Sequence, residues 1–375
     1  MGHITEIEKI VHRGFGLGRL DQKIVFISNV LAHEEVEIKL IRERKDYSFA
    51  VPERIRRSSP DRIDPPCPYY PVCGGCHFLH TSYSHQLEIK EQILSEFLLP
   101  LQPLTVQPFV PSPAVFHYKT SVRFIRQNGR LGFNQRHSHH FVPIDSCLLL
   151  DANIMPFLKR IKMNPEYSYC IAKTDNQNNH SCNLYHEKKG HLQYRINDLV
   201  LLHDFRTFFQ SNSSMIGKWL EVIRDEASRF NLKRVLELYS GVGVISLYLS
   251  RCLDIKKITG IEIDNTAVNF AKMNREKNKL FQVHFQAGPV EKVLNNYEKI
   301  STAICNPPRG GIGPGILSRL IKTQPEAIII SSCEVSNFIR DALFLKEKGY
   351  QCINVIPLDM FPHTFHFEII GSFTR

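Results

Sequence analysis

The sequence predicts an α/β chain: a doubly wound, Rossmann-like sheet of seven strands, preceded by a small β-barrel and a central α+β region. Three observations predict it. Beyond residue 208, apolar runs of strand length alternate with helical stretches; the first fifty-odd residues alternate apolar and polar with glycine breaks; and four unevenly spaced cysteines lie between these regions.

The amino-terminal runs ITEIEKIVHRGFGLGRL, KIVFISNV and EEVEIKLIRERKDYSFA read as short strands joined at Gly14, Gly16 and Gly18, a small closed, OB-like β-barrel over residues 1–57. ERIRRSSPDRIDPPCP is polar and proline-rich, a linker into a cysteine loop. Residues 82–99 carry a helical period, and residues 117–205 return to strand alternation with turns at QNGR and HEKKG, completing a central domain over 58–205. The third domain, 206–375, holds the seven strands RVLELYSG, ITGIEID, FQVHFQA, STAICN, PEAIIIS, QCINVIP and HFEIIGSF.

At 375 residues, 43% hydrophobic and 22% charged, the chain is long enough for two or three packed units. Its first residues, MGHITEIEKIVHRG, are too charged for a signal peptide, and no segment reaches eighteen uninterrupted apolar residues, so the expectation is a cytoplasmic protein with no membrane association. Ten cysteines are sparse for this length, and Cys305 and Cys352 fall in apolar strands, which suits a reducing compartment; the thiols outside the loop are expected to pack in cores. A net charge of +10 and a pI near 9.1 point to an anionic partner. Lys119, Arg123, Arg126, Arg130 and Arg136 interleave with Tyr118, Phe124 and Phe133 with no intervening acid, a pattern suited to phosphate contact and base stacking, with a solvated hairpin face as the alternative. No protein partner is implied.

Cys67, Cys73 and Cys76 lie in CPYYPVCGGC, and Cys147 follows in PIDSCLLL. A three-thiolate loop closed by one distant cysteine is how a chain encloses an iron–sulfur cluster; zinc is the other metal such a set could hold.

The sequence ELYSGVG ends the first strand of the large sheet, and an acid, Glu262, ends the second. Gly241 and Gly243 let the backbone approach a ligand there, while Glu262 can accept both ribose hydroxyls. The third glycine of a dinucleotide fingerprint is missing, so S-adenosylmethionine fits better than a pyrophosphate-bearing cofactor, and Tyr239 could line its pocket. After the fourth strand, Asn306 opens NPPRGG, with its side chain and carbonyl available to a planar group. Cys333 ends the fifth strand and Glu368 lies in the turn into the last. A thiolate adding to C6 of uracil makes C5 nucleophilic toward a sulfonium methyl, and a carboxylate can then remove the C5 proton; Cys333 and Glu368 are candidates for those roles. Base-amine methylation through the Asn-Pro-Pro loop and RNA binding without catalysis are the alternatives. A uridine stacked in RNA must flip out to be reached.

These residues resemble the RNA uracil-5-methyltransferases, in the branch carrying a TRAM domain and an iron–sulfur cluster, over nearly the whole chain. The resemblance implies a class I S-adenosylmethionine-dependent methyltransferase fold, and a [4Fe-4S] cluster on Cys67, Cys73, Cys76 and Cys147. It further implies methyl-donor contacts from Gln210 of FFQSN, Tyr239 and Glu262, and Cys333 and Glu368 as nucleophile and proton acceptor. By the same resemblance 23S ribosomal RNA is favoured over transfer RNA. The chain departs from the family pattern at Asn306, where aspartate is usual, at Ser240 and Val244, and at Glu334-Val335 after the nucleophile. A carboxylate at Glu334 is expected to raise the Cys333 thiol pKa if the two face each other.

Overall fold

A computed structural model describes residues 3–102, 104–161, 168–183 and 191–375; the HEKKG turn lies outside the described residues. The chain divides into two compact units: Met1–Glu96 with Gly132–Cys147 and Phe361–His366, and Phe97–Leu131 with Leu148–Met360 and Phe367–Arg375.

In the first unit, six strands form one sheet whose order begins with His3–Glu6 and ends with Lys9–Val11. Those two edge strands are successive in the chain, so the sheet curls round on itself, as the alternation predicted. Two of the expected glycine breaks lie elsewhere. Gly16 and Gly18 sit inside the strand Phe15–Leu20, and a Cβ on Gly18 would stand 2.8 Å from Thr5 Oγ1. The missing side chain lets Thr5 reach across the barrel, where its hydroxyl accepts from Arg19 N–H (3.1 Å) and donates to Arg19 C=O (3.0 Å). The predicted helix is Tyr83–Leu98.

The second unit is built on a sheet whose seven predicted strands are all present: Val235–Leu238, Ile258–Glu262, Val283–Ala287, Thr302–Cys305, Ala327–Ser332, Gln351–Leu358 and Glu368–Thr374, the first to the seventh. Their spatial order is third, second, first, fourth, fifth, seventh, sixth, with the seventh antiparallel to both neighbours. The order reverses between the first and fourth strands, where such sheets open a crevice at their carboxyl ends. An eighth strand, Thr105–Val106, pairs parallel to the sixth. It was not legible because both residues are exposed and the pairing relies on backbone alone.

Helix Ile216–Ser228 is tied to the antiparallel end of this sheet through the buried Glu226, which accepts from Ser372 Oγ (2.6 Å) and Asn354 Nδ2 (2.9 Å). The strand Leu199–His203 pairs with Leu192–Ile196, and its other edge is bound by side chains of the helix Asn265–Lys277 and the residue capping it. Asn274 and Asn278 exchange hydrogen bonds of 2.6–3.1 Å with the backbones of Leu202 and Val200. Such side chains satisfy an edge that would otherwise present open backbone groups.

Ser121–Gln127 pairs with Tyr169–Thr174, which pairs with His180–Cys182. The QNGR turn forms as predicted, with Asn128 and Gly129 both at positive φ. The helix Ile154–Arg160 was missed. The expected stripe of basic and stacking residues does not form as read: Tyr118 and Phe124 are 2% and 0% exposed and belong to the core, while Arg123 projects outward over the Tyr169 ring. Strand alternation turns one set of side chains inward, and the apolar rings take the inner face. Of the thiols expected in cores, Cys170, Cys182, Cys305 and Cys352 are buried, but Cys252 is exposed at a helix end. No helix among the described residues is long and apolar enough to cross a membrane.

Candidate active site

The first strand delivers Tyr239 at φ 64° into the turn that contains Gly241 (φ 53°) and Gly243 (φ 87°). The two glycines are needed for different reasons. A Cβ on Gly241 would meet nothing within 4 Å, so its backbone angle alone requires glycine, whereas one on Gly243 would also strike the Phe285 ring at 2.5 Å. A tyrosine in the left-handed region is a strained position of the kind that gathers at ligand sites. Burial raises the Tyr239 phenol pKa, and its hydroxyl makes no hydrogen bond among the described residues.

Glu262 joins this turn to the second strand: Oε2 accepts from Gly241 N–H at 2.9 Å and Oε1 from Asp264 N–H at 2.9 Å. The next residue, Ile263, is 66% exposed, an apolar surface beside the carboxylate that the sequence reading did not pick out. Ser240 buries a hydroxyl that has no hydrogen-bond partner among the described residues. Gln210 lies in a loop pinned by Asn212, whose amide donates to Ser112 Oγ (3.2 Å) and Met360 C=O (3.0 Å). Its own amide makes no hydrogen bond among the described residues and remains available to a ligand.

Asn306 follows the fourth strand, its N–H donating to Leu238 C=O (3.4 Å). The loop beyond it is held by the helix Val335–Glu347: buried Asp341 accepts from Ile312 N–H (2.7 Å) and Gly313 N–H (3.1 Å), while Asn337 and Arg340 donate to the carbonyls of Arg309 (2.6 Å) and Gly310 (3.0 Å). That helix begins two residues after Cys333, so the element that follows the thiol also clamps the loop after Asn306.

Cys333 and Glu368 meet at the ends of the fifth and seventh strands. The register pairs Ser332 with Ile369, and one further step sets Cys333 opposite Glu368. Burial pushes the Cys333 thiol up to about 11, helped by the charges of Glu368 and, as expected from the sequence, Glu334; Arg309 acts the other way. Burial also raises the Glu368 carboxyl to about 7, opposed by a hydrogen bond from Ser331 Oγ to Oε1 at 2.5 Å. Ser331 in turn accepts from Trp219 Nε1 at 2.9 Å. Neither Ser331 nor Trp219 was singled out from sequence, since both read as apolar-strand and helix packing.

In the first unit, the loop bearing Cys67, Cys73 and Cys76 is folded by hydrogen bonds from Tyr70 N–H to Cys67 C=O (3.1 Å) and from Cys73 N–H to Tyr69 C=O (2.8 Å). Asp145 N–H donates to Tyr69 Oη (2.9 Å), which ties the segment ahead of Cys147 to that loop. None of the four cysteines is in a disulfide, and all are half-buried. The Cys73 thiol pKa is raised, by burial first and then by the charges of Cys147 and Cys67, and Arg136 offsets part of this. No three cysteine, histidine or acidic side chains among the described residues gather closely enough to hold a single metal ion. A cluster spaces its cysteines farther apart than a single ion does. Arg136 bonds to Asn29 Oδ1 (2.7 Å) and Cys76 C=O, both neutral, leaving its charge to face the thiols.

A Methyltransferase small domain model matches residues 220–329, and a TRAM domain model matches residues 4–52. The large sheet has the class I methyltransferase fold, and the barrel is a TRAM domain. A Thermotoga maritima protein named "Uncharacterized RNA methyltransferase" is 29% identical, covering 97% of each chain; one of the same name from Aquifex aeolicus is 29% identical, covering 97% of this chain and 96% of its own. Among solved structures, the Pyrococcus abyssi tRNA (uracil-54, C5)-methyltransferase in complex with S-adenosyl-L-homocysteine superposes with a TM-score of 0.76 at 22% identity, over 99% of this chain and 100% of that one. That likeness extends the shared fold to the whole chain.

Proposed function

We propose that this protein is an S-adenosylmethionine-dependent RNA methyltransferase acting on C5 of uridine, with 23S ribosomal RNA the favoured substrate over transfer RNA. The observation that carries the reading is Cys333 set opposite Glu368 at the sheet's ligand edge. The names of the relatives support the RNA substrate, and the fold supports the methyl donor.

Cys333 Sγ adds to C6 of a flipped uridine, and the electron pair of the C5–C6 bond becomes an enolate held by the ring carbonyl. Burial holds the proton on the Cys333 thiol at neutral pH, so addition to C6 needs that proton passed to a base, and the Arg309 charge favours the thiolate that results. C5 then takes the methyl group from the sulfonium, releasing S-adenosylhomocysteine. Glu368 removes the C5 proton, the double bond re-forms, and the C6–S bond breaks to return the thiolate. Gln210, Tyr239, Gly241, Gly243, Glu262 and Asn306 would line the donor site, with Ile263 flanking the adenosine.

On this reading the barrel and central region, 1–57 and 58–205, hold RNA in a reducing cytoplasm, while 206–375 performs the transfer. Cys67, Cys73, Cys76 and Cys147 would hold a [4Fe-4S] cluster, which would supply a structural or RNA-sensing element, since uridine methylation moves no net electrons.

The test is mass spectrometry of nucleosides from ribosomal and transfer RNA incubated with labelled S-adenosylmethionine. Label in 5-methyluridine, lost in Cys333→Ala, supports the reading. Label in an amino-methylated base moves the chemistry to Asn306, and no label with intact RNA binding leaves a non-catalytic protein.

A further inference from the structure

We propose that Trp219 and Ser331 form a positioning relay that fixes which oxygen of Glu368 accepts the substrate proton; its kinetic consequence rests on the uridine reading above. An indole N–H can only donate, so the 2.9 Å contact from Trp219 Nε1 makes Ser331 Oγ an acceptor. A serine hydroxyl has one proton, and the other close partner of Oγ is Glu368 Oε1 at 2.5 Å. The carboxylate can only accept, so the hydroxyl rotor is locked with its proton on Oε1. Trp219, Ser331 and Glu368 are 1%, 0% and 2% exposed, so water does not compete for these bonds.

Oε1 is thereby occupied, while Oε2 makes no hydrogen bond among the described residues. The relay leaves Oε2 to take the C5 proton as the C6–S electron pair returns to sulfur. It also stabilises the charged form of a carboxylate that burial would otherwise keep neutral. The three groups come from separate elements, the helix Ile216–Ser228 and the fifth and seventh strands, so the oxygen is oriented by packing rather than by its own chain neighbours.

The test follows the Glu368 carboxyl by carbon-13 NMR on glutamate-labelled protein, with Glu368→Gln for assignment. Ser331→Ala should raise its titration midpoint by roughly one unit, Ser331→Thr should restore it, and Trp219→Phe should give an intermediate value. In methylation assays Ser331→Ala should leave KM unchanged, shift the acid limb of the kcat profile upward, and unmask an isotope effect with 5-deuterated uridine RNA. The adduct with 5-fluorouridine RNA, which needs no proton removal, should form at the normal rate. An unmoved midpoint in folded Ser331→Ala overturns the relay, and if that variant does not fold, Trp219→Phe decides in the same way. Absence of 5-methyluridine with the wild type would defeat the uridine reading, while the titration would still decide the relay.

Discussion

Cys333 lies across the antiparallel register from Glu368, one step beyond the Ser332–Ile369 pair. The Glu368 charge raises the cost of ionising the thiol. Glu368 is, after burial, the next largest influence holding the Cys333 proton.

Replacing Glu368 with glutamine should therefore free the thiol while blocking turnover. The midpoint for iodoacetamide alkylation of Cys333 should fall below the wild-type value of about 11, by up to roughly one unit. The variant should also accumulate a covalent adduct with unmodified RNA. A midpoint that rises, or no accumulation alongside undiminished methylation, would remove Glu368 from the proposed role.

Arg309 acts in the opposite sense, its guanidinium favouring the thiolate. Arg309→Ala should slow Cys333 alkylation at pH 8 several-fold and move its midpoint up. Alkylation at the wild-type rate would mean that Arg309 does not reach the thiol in solution.

Glu237 ties pH to stability. Burial raises its carboxyl to about 8, although Ser246 donates both its N–H (3.0 Å) and its hydroxyl to Oε2. The folded pKa exceeds the unfolded value of 4.5, so the folded state binds the extra proton. The associated stability is fully present below about 4.5 and is lost as pH rises through about 8. Glu237→Gln keeps an acceptor without the charge. It should flatten thermal stability across that window and raise it at pH 8.5 by on the order of a few kcal/mol. Parallel melting curves for both proteins would refute the assignment.

Asp341 clamps the loop after Asn306. Asp341→Ala leaves Ile312 N–H and Gly313 N–H without their acceptor and Arg340 without its 2.7 Å partner. The expected loss of stability is about 3 kcal/mol, with weakened S-adenosylmethionine binding by calorimetry. Unchanged binding in a destabilised variant would confine the clamp to stability.

For the cysteine loop, protein purified anaerobically should contain iron and acid-labile sulfide together. Cys73→Ser should lose both, whereas Cys252→Ser, at an exposed helix end, should lose neither. Zinc without sulfide, or equal content in both variants, would sink the cluster reading.

The seven strands of the large sheet, the barrel, the helix Tyr83–Leu98 and the QNGR turn were legible because each is written in local periodicity or turn chemistry. The same local logic placed Tyr239, Gly241, Gly243, Glu262, Asn306, Cys333 and Glu368 at strand ends, where a doubly wound sheet presents its ligand edge. It failed where pairing depends on backbone alone, as at Thr105–Val106, and where charge spacing hid burial, as at Tyr118 and Phe124.

By itself, then, the sequence determined the elements, their order and the residue types available for chemistry, because these follow from local propensity and from the covalent spacing of reactive groups. The tertiary structure decided which side chains meet and in what state. It set Cys333 against Glu368, locked Ser331 between Trp219 and that carboxylate, and clamped the Asn306 loop on Asp341. Those outcomes depend on register across distant strands and on burial, the largest influence shifting the thiol and the carboxyl toward their neutral forms.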